Sequence, residues 1–474
     1  MGGTITISNL AISGSVKSQV FRPSPGTHVG AGGPTNLKIS TSVIARLGVK
    51  YFAAGVPRNL SHDSSIVSGD ENGEPPFSLS AIMSSIDTTA TAASSLHGFY
   101  GWTDTLKGVY YGPGCVSTAL PKLLDTLGVK KALIVTGKSL HQKTDVVRKI
   151  ESTLKERDAW GATFFEIGEH TPIVGIRNGI KEYTQNGCDC IVAVGGGSPV
   201  DGSKAMLYNI QKEFGGKTPP QIAIPTTLSA AEYSIGAGYT NDEGHKVAVS
   251  SQELAPAGII LDAELTLATP ERLWLSTGIR SLDHTVEQLY RPLVSHPVKV
   301  LCYSAMADLF KYLPKSKANP NDVNFRQRLQ IASWMSLWPM KLERYSALGL
   351  SHALGHKLGA RYSIPHGITS CLTLAPTVIL KSELAPEEDK NLLAATLFYL
   401  HEPSTGSVDG DVRQLAKLIN NLVINLGLQS TLTDYNVPRE DLVSVARQAL
   451  GRDDDPQQER VVKLLESIYE PLQL

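Results

Sequence analysis

Cys190-Ile191-Val192-Ala193-Val194-Gly195-Gly196-Gly197-Ser198-Pro199-Val200-Asp201-Gly202-Ser203-Lys204 decides how this chain folds. The continuous apolar run Cys190–Val194 suits a strand buried on both faces, and the glycines after it open a segment of helical character. Glycines at such a turn let the backbone approach a pyrophosphate. The free N–H groups and the dipole of the helix that follows favour its negative charge. The spacing is not G-x-G-x-x-G, so the unit reads as a strand, a glycine turn and a phosphate-binding helix, and not as the ordinary dinucleotide fingerprint.

Working outward from this unit, Lys131–Thr136, Thr163–Ile167, Ile222–Ile224 and Gly258–Leu261 are further short apolar runs. Val116–Leu127, Thr144–Asp158 and Val174–Asn186 have helical spacing and lie between them. Buried strands alternating with helices predict a parallel sheet covered on both faces, which is an α/β dinucleotide-binding domain over 99–270. After Pro270 the apolar period becomes helical through Leu275–Tyr290, Val298–Tyr312, Phe325–Leu337, Tyr345–Ala360, Asp411–Leu426 and Val461–Tyr469. Pro314, Asn319-Pro320, Pro365 and Pro403 are read as separators, so 271–474 is predicted to be an all-helical catalytic domain. Residues 1–98 are rich in Ser, Thr, Gly and Pro and are read as a partly disordered N-terminal extension.

Composition narrows the function. The chain has 474 residues, with 44 Lys plus Arg against 45 Asp plus Glu, so it lacks the basic excess of a nucleic-acid binder and suits a small-molecule partner. No apolar run reaches the roughly 18–20 residues that span a bilayer, and no secretory leader is evident at the start. Five cysteines, Cys115, Cys188, Cys190, Cys302 and Cys371, are sparse for this length and fit a reducing compartment. Cys188 and Cys190 lead into the central strand and are read as strand-entry residues. A cytoplasmic protein without membrane partners is expected.

The second chemical signal lies in the helical half. His352 and His356 are four apart and share a helix face, His366 follows the Pro365 break, and His284 sits on the helix beginning near Leu275. Histidines gathered in this way suit metal ligation or proton transfer near neutral pH.

Gly195–Lys204, Pro225-Thr226-Thr227, the helix Gly278–Tyr290 and the stretch Ser351-His352 through Pro365-His366-Gly367 together resemble the iron-containing alcohol dehydrogenase family. The resemblance covers about three quarters of the chain. It implies a dehydroquinate synthase-like fold, an α/β dinucleotide domain followed by an all-helical one, a nicotinamide cofactor and a homodimer. By motif, Gly195, Gly196, Gly197, Ser198 and Asp201 would lie at the pyrophosphate, and Thr226, Thr227 and Lys246 near the nicotinamide and ribose. His284, His352 and His366 would be the metal ligands (Fe or Zn), with His356 an additional active-site histidine. The family's fourth ligand, an Asp, falls on Arg280, which puts metal binding in doubt. Asp283 is not expected to replace it, because neighbours on a helix point about 100° apart.

Loss of that Asp and the shorter form of Pro225-Thr-Thr-Leu-Ser-Ala-Ala-Glu232 look like the maleylacetate reductase branch, which works without metal, although that branch typically carries Asn where this chain has Arg280. The implied reaction is hydride transfer from NADH or NADPH to a carbonyl or conjugated keto acid. Arg280 would polarise the carbonyl or grip a substrate carboxylate with both ends of its fork, unless it turns outward or pairs with Glu287. His352 and His356 are the candidate proton donors. Gly137 and Lys138 stand where NAD-selective relatives place an Asp, so NADPH is expected to be accepted. Two other readings stay open: a metal-dependent alcohol dehydrogenase with an altered ligand set, and a lyase or cyclase on the same fold.

Overall fold

A computed structural model describes residues 101–168, 171–338, 340–341 and 346–474, so the predicted extension over 1–98 lies outside the described residues. The strands are β1 (Gly101–Trp102), β2 (Gly108–Tyr111), β3 (Ala132–Val135), β4 (Trp160–Phe164), β5 (Cys190–Gly195), β6 (Gln221–Pro225), β7 (Gly236–Thr240), β8 (Lys246–Ser250), β9 (Gly258–Leu261) and β10 (Met340–Lys341). Among them lie helices α1 (Val116–Leu127), α2 (Lys138–Lys143), α3 (Val146–Lys155), α4 (Ile173–Gln185) and α5 (Gly197–Phe214). Six strands pair in the order β2-β9-β6-β5-β3-β4, every pair parallel.

The four apolar strands β3, β5, β6 and β9 are buried at every residue. Their side chains alternate between two cores, as the two-residue strand period requires. Ile134, Val192 and Ile224 meet Leu120, Val147 and Ile150 on one face, whereas Leu133, Val135 and Ile191 meet Ile176, Met206 and Leu207 on the other. Covering on both sides is why these runs read as continuously apolar.

Beyond β9 the described chain is almost wholly helical: α6 (Glu271–Tyr290), α7 (His296–Ala318), α8 (Val323–Ser336), α9 (Leu350–Tyr362), α10 (His366–Leu384), α11 (Glu387–Ala394), α12 (Thr396–Leu400), α13 (Val408–Asn425), α14 (Leu442–Leu450) and α15 (Gln458–Glu466). No helix among the described residues is long and apolar enough to cross a membrane. The α/β-then-helical fold agrees with the sequence reading.

Several details differ. The antiparallel hairpin β7–β8 is not predicted, because its strands contain Gly236 and Gly238 and lack a clear apolar alternation. Pro314 does not end a helix but lies inside α7, and Pro376 lies inside α10. Each removes one backbone hydrogen bond. The buried Leu309 and Leu313 beside Pro314 show the apolar packing that offsets this cost in α7.

Gly367, next to His366, shows how tightly α10 is seated. A Cβ there would lie 2.6 Å from the backbone carbon and 2.7 Å from the carbonyl oxygen of Ser276 on α6. Backbone cannot swing aside as a side-chain tip can, so Gly367→Ala is expected to cost about 1–3 kcal/mol and to lower the thermal midpoint. An unchanged melting curve would show that α6 and α10 have slack.

Candidate active site

The order of the sheet places β3 beside β5, with the chain leaving β3 outward to β4 and leaving β5 in the opposite direction to β6. Ligands in parallel sheets usually occupy the crevice at the carboxyl ends of two such strands. Gly195 has φ +136°, and a Cβ on it would lie 3.1 Å from Pro199 Cγ and 3.7 Å from Leu140 Cδ2. Gly196 caps α5, and a Cβ there would meet Thr227 Cγ2 at 3.1 Å. The glycines therefore let three turns crowd together: the one after β3 with Gly137 and exposed Lys138, the start of α5 with Gly197 and half-buried Ser198, and Thr226-Thr227 after β6. Lys246 begins β8, in register with Thr240.

Two residues of this half carry weight that the sequence reading did not assign. Lys204, fully buried on α5, donates from Nζ to Ala231 O (2.6 Å), Ser234 Oγ (2.9 Å) and Gly236 O (3.1 Å), with Asp201 Oδ1 at 3.6 Å. It fastens the glycine-turn helix to the segment that follows Thr226-Thr227. Its spacing three residues after Asp201, within the small and largely apolar first half of the helix, was the available signal. Beside it, burial raises the Glu232 carboxyl to about 7.

The same Thr-Thr segment is tied to the helical half. Thr226 N donates to Gly195 O (2.9 Å), and Thr269 Oγ1 donates to Thr226 O (2.7 Å). Leu228 N donates to Thr277 Oγ1 (3.1 Å), and Ser281 Oγ donates to Leu228 O (2.6 Å). Thr277 and Ser281 belong to α6, the helix that carries Arg280 and His284, so the dinucleotide turn and the histidine site are held in one register.

On α6, Arg280, Asp283, His284 and Glu287 follow the i, i+3, i+4, i+7 pattern of one helix face, and all are buried. Facing them are His352 from α9 and Ser370 from α10, while His356 and His366 are exposed at residue level, with ring centroids 5.6 Å apart. His284 and His352 stack at 4.8 Å.

Arg280 is 8% exposed; it neither turns outward nor hydrogen-bonds Glu287. Its Nη1 donates to Ser370 Oγ (3.2 Å) and lies 3.8 Å from Asp283 Oδ2, and its Nη2 lies 3.3 Å from His356 Nε2. Both ends of the guanidinium are therefore engaged by protein. The open fork expected for a substrate carboxylate is not what the structure presents. Because a guanidinium only donates, His356 Nε2 must accept, which leaves that imidazole neutral. Loss of water around the ring and the adjacent guanidinium hold its pKa well below the usual range. In this arrangement the neutral ring keeps its one hydrogen on Nδ1, the nitrogen that does not face Arg280.

His352 is the opposite case. Its Nδ1 lies 2.7 Å from Glu287 Oε2 and 3.3 Å from Asp283 Oδ1, and ionised carboxylates only accept, so Nδ1 carries a hydrogen. Burial and Arg280 disfavour its charged form, but the two carboxylates more than offset them and its pKa is raised. Burial, then the charges of His352 and Arg280, keep His284 neutral with a strongly lowered pKa. Asp283 Oδ2 accepts from Ser351 Oγ (2.9 Å) and Ser370 Oγ (2.6 Å).

Among the described residues, Asp283, Glu287 and His352 are the one group of three such side chains whose ligand atoms lie within 4.8 Å of one another, and this buried triad could bind a metal. The sequence reading set Asp283 aside as a ligand, but its carboxylate lies against His352 on another helix. Around a tetrahedral ion with bonds near 2.0–2.2 Å, neighbouring ligand atoms are about 3.3–3.6 Å apart. The 2.7 Å between His352 Nδ1 and Glu287 Oε2 is a hydrogen bond, shorter than the spacing around such an ion.

Two family models match consecutive parts of the chain: iron-containing alcohol dehydrogenase over 107–263, and the C-terminal model of the Fe-containing alcohol dehydrogenase family over 274–469. The chain belongs to the iron-containing alcohol dehydrogenase family. It is accordingly an NAD(P)-dependent dehydrogenase or reductase. A maleylacetate reductase of Rhizobium sp. (strain MTP-10005) is 27% identical over 289 residues, covering 60% of this chain and 77% of that protein. The NAD-dependent methanol dehydrogenase of Bacillus methanolicus is 25% identical over 346 residues, covering 69% and 87%. The crystal structure of maleylacetate reductase from Agrobacterium tumefaciens superposes with a TM-score of 0.67 at 22% identity, covering 80% of this chain and all of that one. These relatives share the iron-containing alcohol dehydrogenase fold but name different substrates.

Proposed function

We propose that this chain reduces a carbonyl with NADH or NADPH, and that Arg280 supplies the fixed positive charge that a metal supplies in other members of the family. The observation that carries this reading is the guanidinium itself: 8% exposed, held by Ser370, Asp283 and His356, four residues before His284 on one helix face. Two carboxylates, Asp283 and Glu287, already face two protein cations, Arg280 and His352. A divalent ion would add charge where none is lacking and would lie beside a guanidinium that repels it.

A reduced nicotinamide, when bound, would supply the hydride for the carbonyl carbon. An Arg280 N–H hydrogen-bonds the oxygen as negative charge develops there, and His352 delivers a proton from Nε2, the ring nitrogen opposite its Nδ1–H. Gly196, Gly197 and Ser198 at the start of α5 would hold the pyrophosphate, with Thr226 and Thr227 at the nicotinamide side. Gly137 followed by Lys138 presents no carboxylate of its own to repel a 2′-phosphate, so both coenzymes are accepted and NADPH is favoured.

The test is a panel of aldehydes, ketones and keto acids given to the full chain with NADPH or NADH, before and after chelation, alongside elemental analysis. Expected are turnover that survives chelation, less than stoichiometric metal, and kcat/KM at least as high with NADPH as with NADH. One equivalent of Fe or Zn with activity lost on chelation would instead favour the Asp283–Glu287–His352 triad as a metal centre. A strong NADH preference would remove the role given to Lys138.

A further inference from the structure

Helix α9, which carries His352 and His356, begins with a glycine cap: Gly349 contributes no side chain to the unpaired N–H groups of the first turn. The missing acceptor comes from another helix. Glu287, fully buried on α6, accepts at Oε1 from Ser351 N (2.8 Å) and from the Tyr290 hydroxyl (3.2 Å). Its other oxygen, Oε2, accepts from His352 Nδ1 at 2.7 Å. One carboxylate therefore caps α9 and holds the first histidine on that helix. A negative charge at this position is also favoured by the helix dipole.

The fit explains the glycine. A Cβ at Gly349 would lie 2.6 Å from Glu287 Oε1 and 2.8 Å from the Tyr290 oxygen, so a larger residue would displace the carboxylate. Asp283 cannot take over the task as it stands. Its Oδ2 is occupied by the hydroxyls of Ser351 and Ser370, and its Oδ1 is at 3.3 Å from Nδ1, longer than the Glu287 contact. On the far side of the ring, His352 Nε2 is buried with no protein partner. The hydrogen bond at one ring nitrogen decides which hydrogen the other can carry and where it points.

We infer that Glu287 is a positioning residue: it caps α9 across the helix interface and, by binding the Nδ1–H of His352, fixes the orientation of that ring so that Nε2 faces the reacting oxygen. This rests on the reading of His352 as the proton donor, and the test separates the two. Full-length protein labelled with 15N-histidine reports the Nδ1–H···carboxylate bond as a strongly downfield imidazole proton. Glu287→Gln, whose amide keeps an acceptor for Ser351 N, is expected to lose that signal. It should also lower kcat roughly 100-fold or more with coenzyme KM unchanged, as when an orienting carboxylate behind a catalytic histidine is neutralised.

Gly349→Ala, which alters no polar group, is expected to shift the same signal and to lower kcat in the same direction. It serves as the second probe should Glu287→Gln fail to fold. A downfield proton that persists in both variants would overturn the positioning role. Loss of the signal with undiminished kcat would support Glu287 as the holder of the ring while overturning His352 as the proton donor.

Discussion

Arg280→Met is expected to reduce kcat/KM for carbonyl reduction roughly 100-fold or more, because one preorganised donor aimed at a developing oxyanion contributes about 3–4 kcal/mol. Met keeps most of the side-chain volume, so the helix face should stay packed. Asp283 retains the hydroxyls of Ser351 and Ser370 as partners, which protects it from becoming an unpaired buried charge. Because the charge acts on the transition state and not on the coenzyme, the loss should appear in kcat with coenzyme KM unchanged. Arg280→Lys keeps a cation but not the planar donor that bridges Ser370 and His356, and should recover only part of the activity. Turnover within a few-fold of the parent in Arg280→Met would mean that the guanidinium only fills space.

The second large effect is expected at His352. Its raised pKa comes from Asp283 and Glu287 overcoming burial and Arg280. The sign follows: the imidazolium needed for proton delivery is present below that raised value and disappears as pH rises through it. Carbonyl reduction should therefore be fullest below it and decline above it, with alcohol oxidation moving the opposite way. His352→Gln should lower kcat by about 100- to 10,000-fold, the usual worth of a positioned acid, and should abolish the alkaline limb. If that limb persisted in the variant, another group would be the donor. His356 would not be the first to consider, since its Nε2 already accepts from Arg280.

Much of this was legible along the chain because it is local. Cys190–Val194 is apolar at every position and is buried at every position, and the glycines after it form the turn that the residue types demand. His352 and His356, four apart, do share a helix, and Arg280 and His284 do share another. The proline separators were less legible. A proline raises the cost of a helix, but whether the helix continues depends on what its other faces bury, and α7 buries Leu309 and Leu313 around Pro314.

The sequence by itself determined the strand–glycine turn–helix unit, the alternation that builds a parallel sheet, the helical second half, and the cation standing where the family keeps an aspartate. The first three follow from residue type and a period of two or of 3.6 residues, and the last is what the family resemblance implies. Only the tertiary structure decided the partners: Arg280 with Ser370 and His356, His352 with Glu287 and Asp283, Lys204 with the segment after Thr226-Thr227. Spacing fixes which side chains share a face, but the rotation and depth at which α6, α9 and α10 meet fix what that face touches. In a buried site those contacts set the direction in which each histidine's pKa moves and which charges face one another.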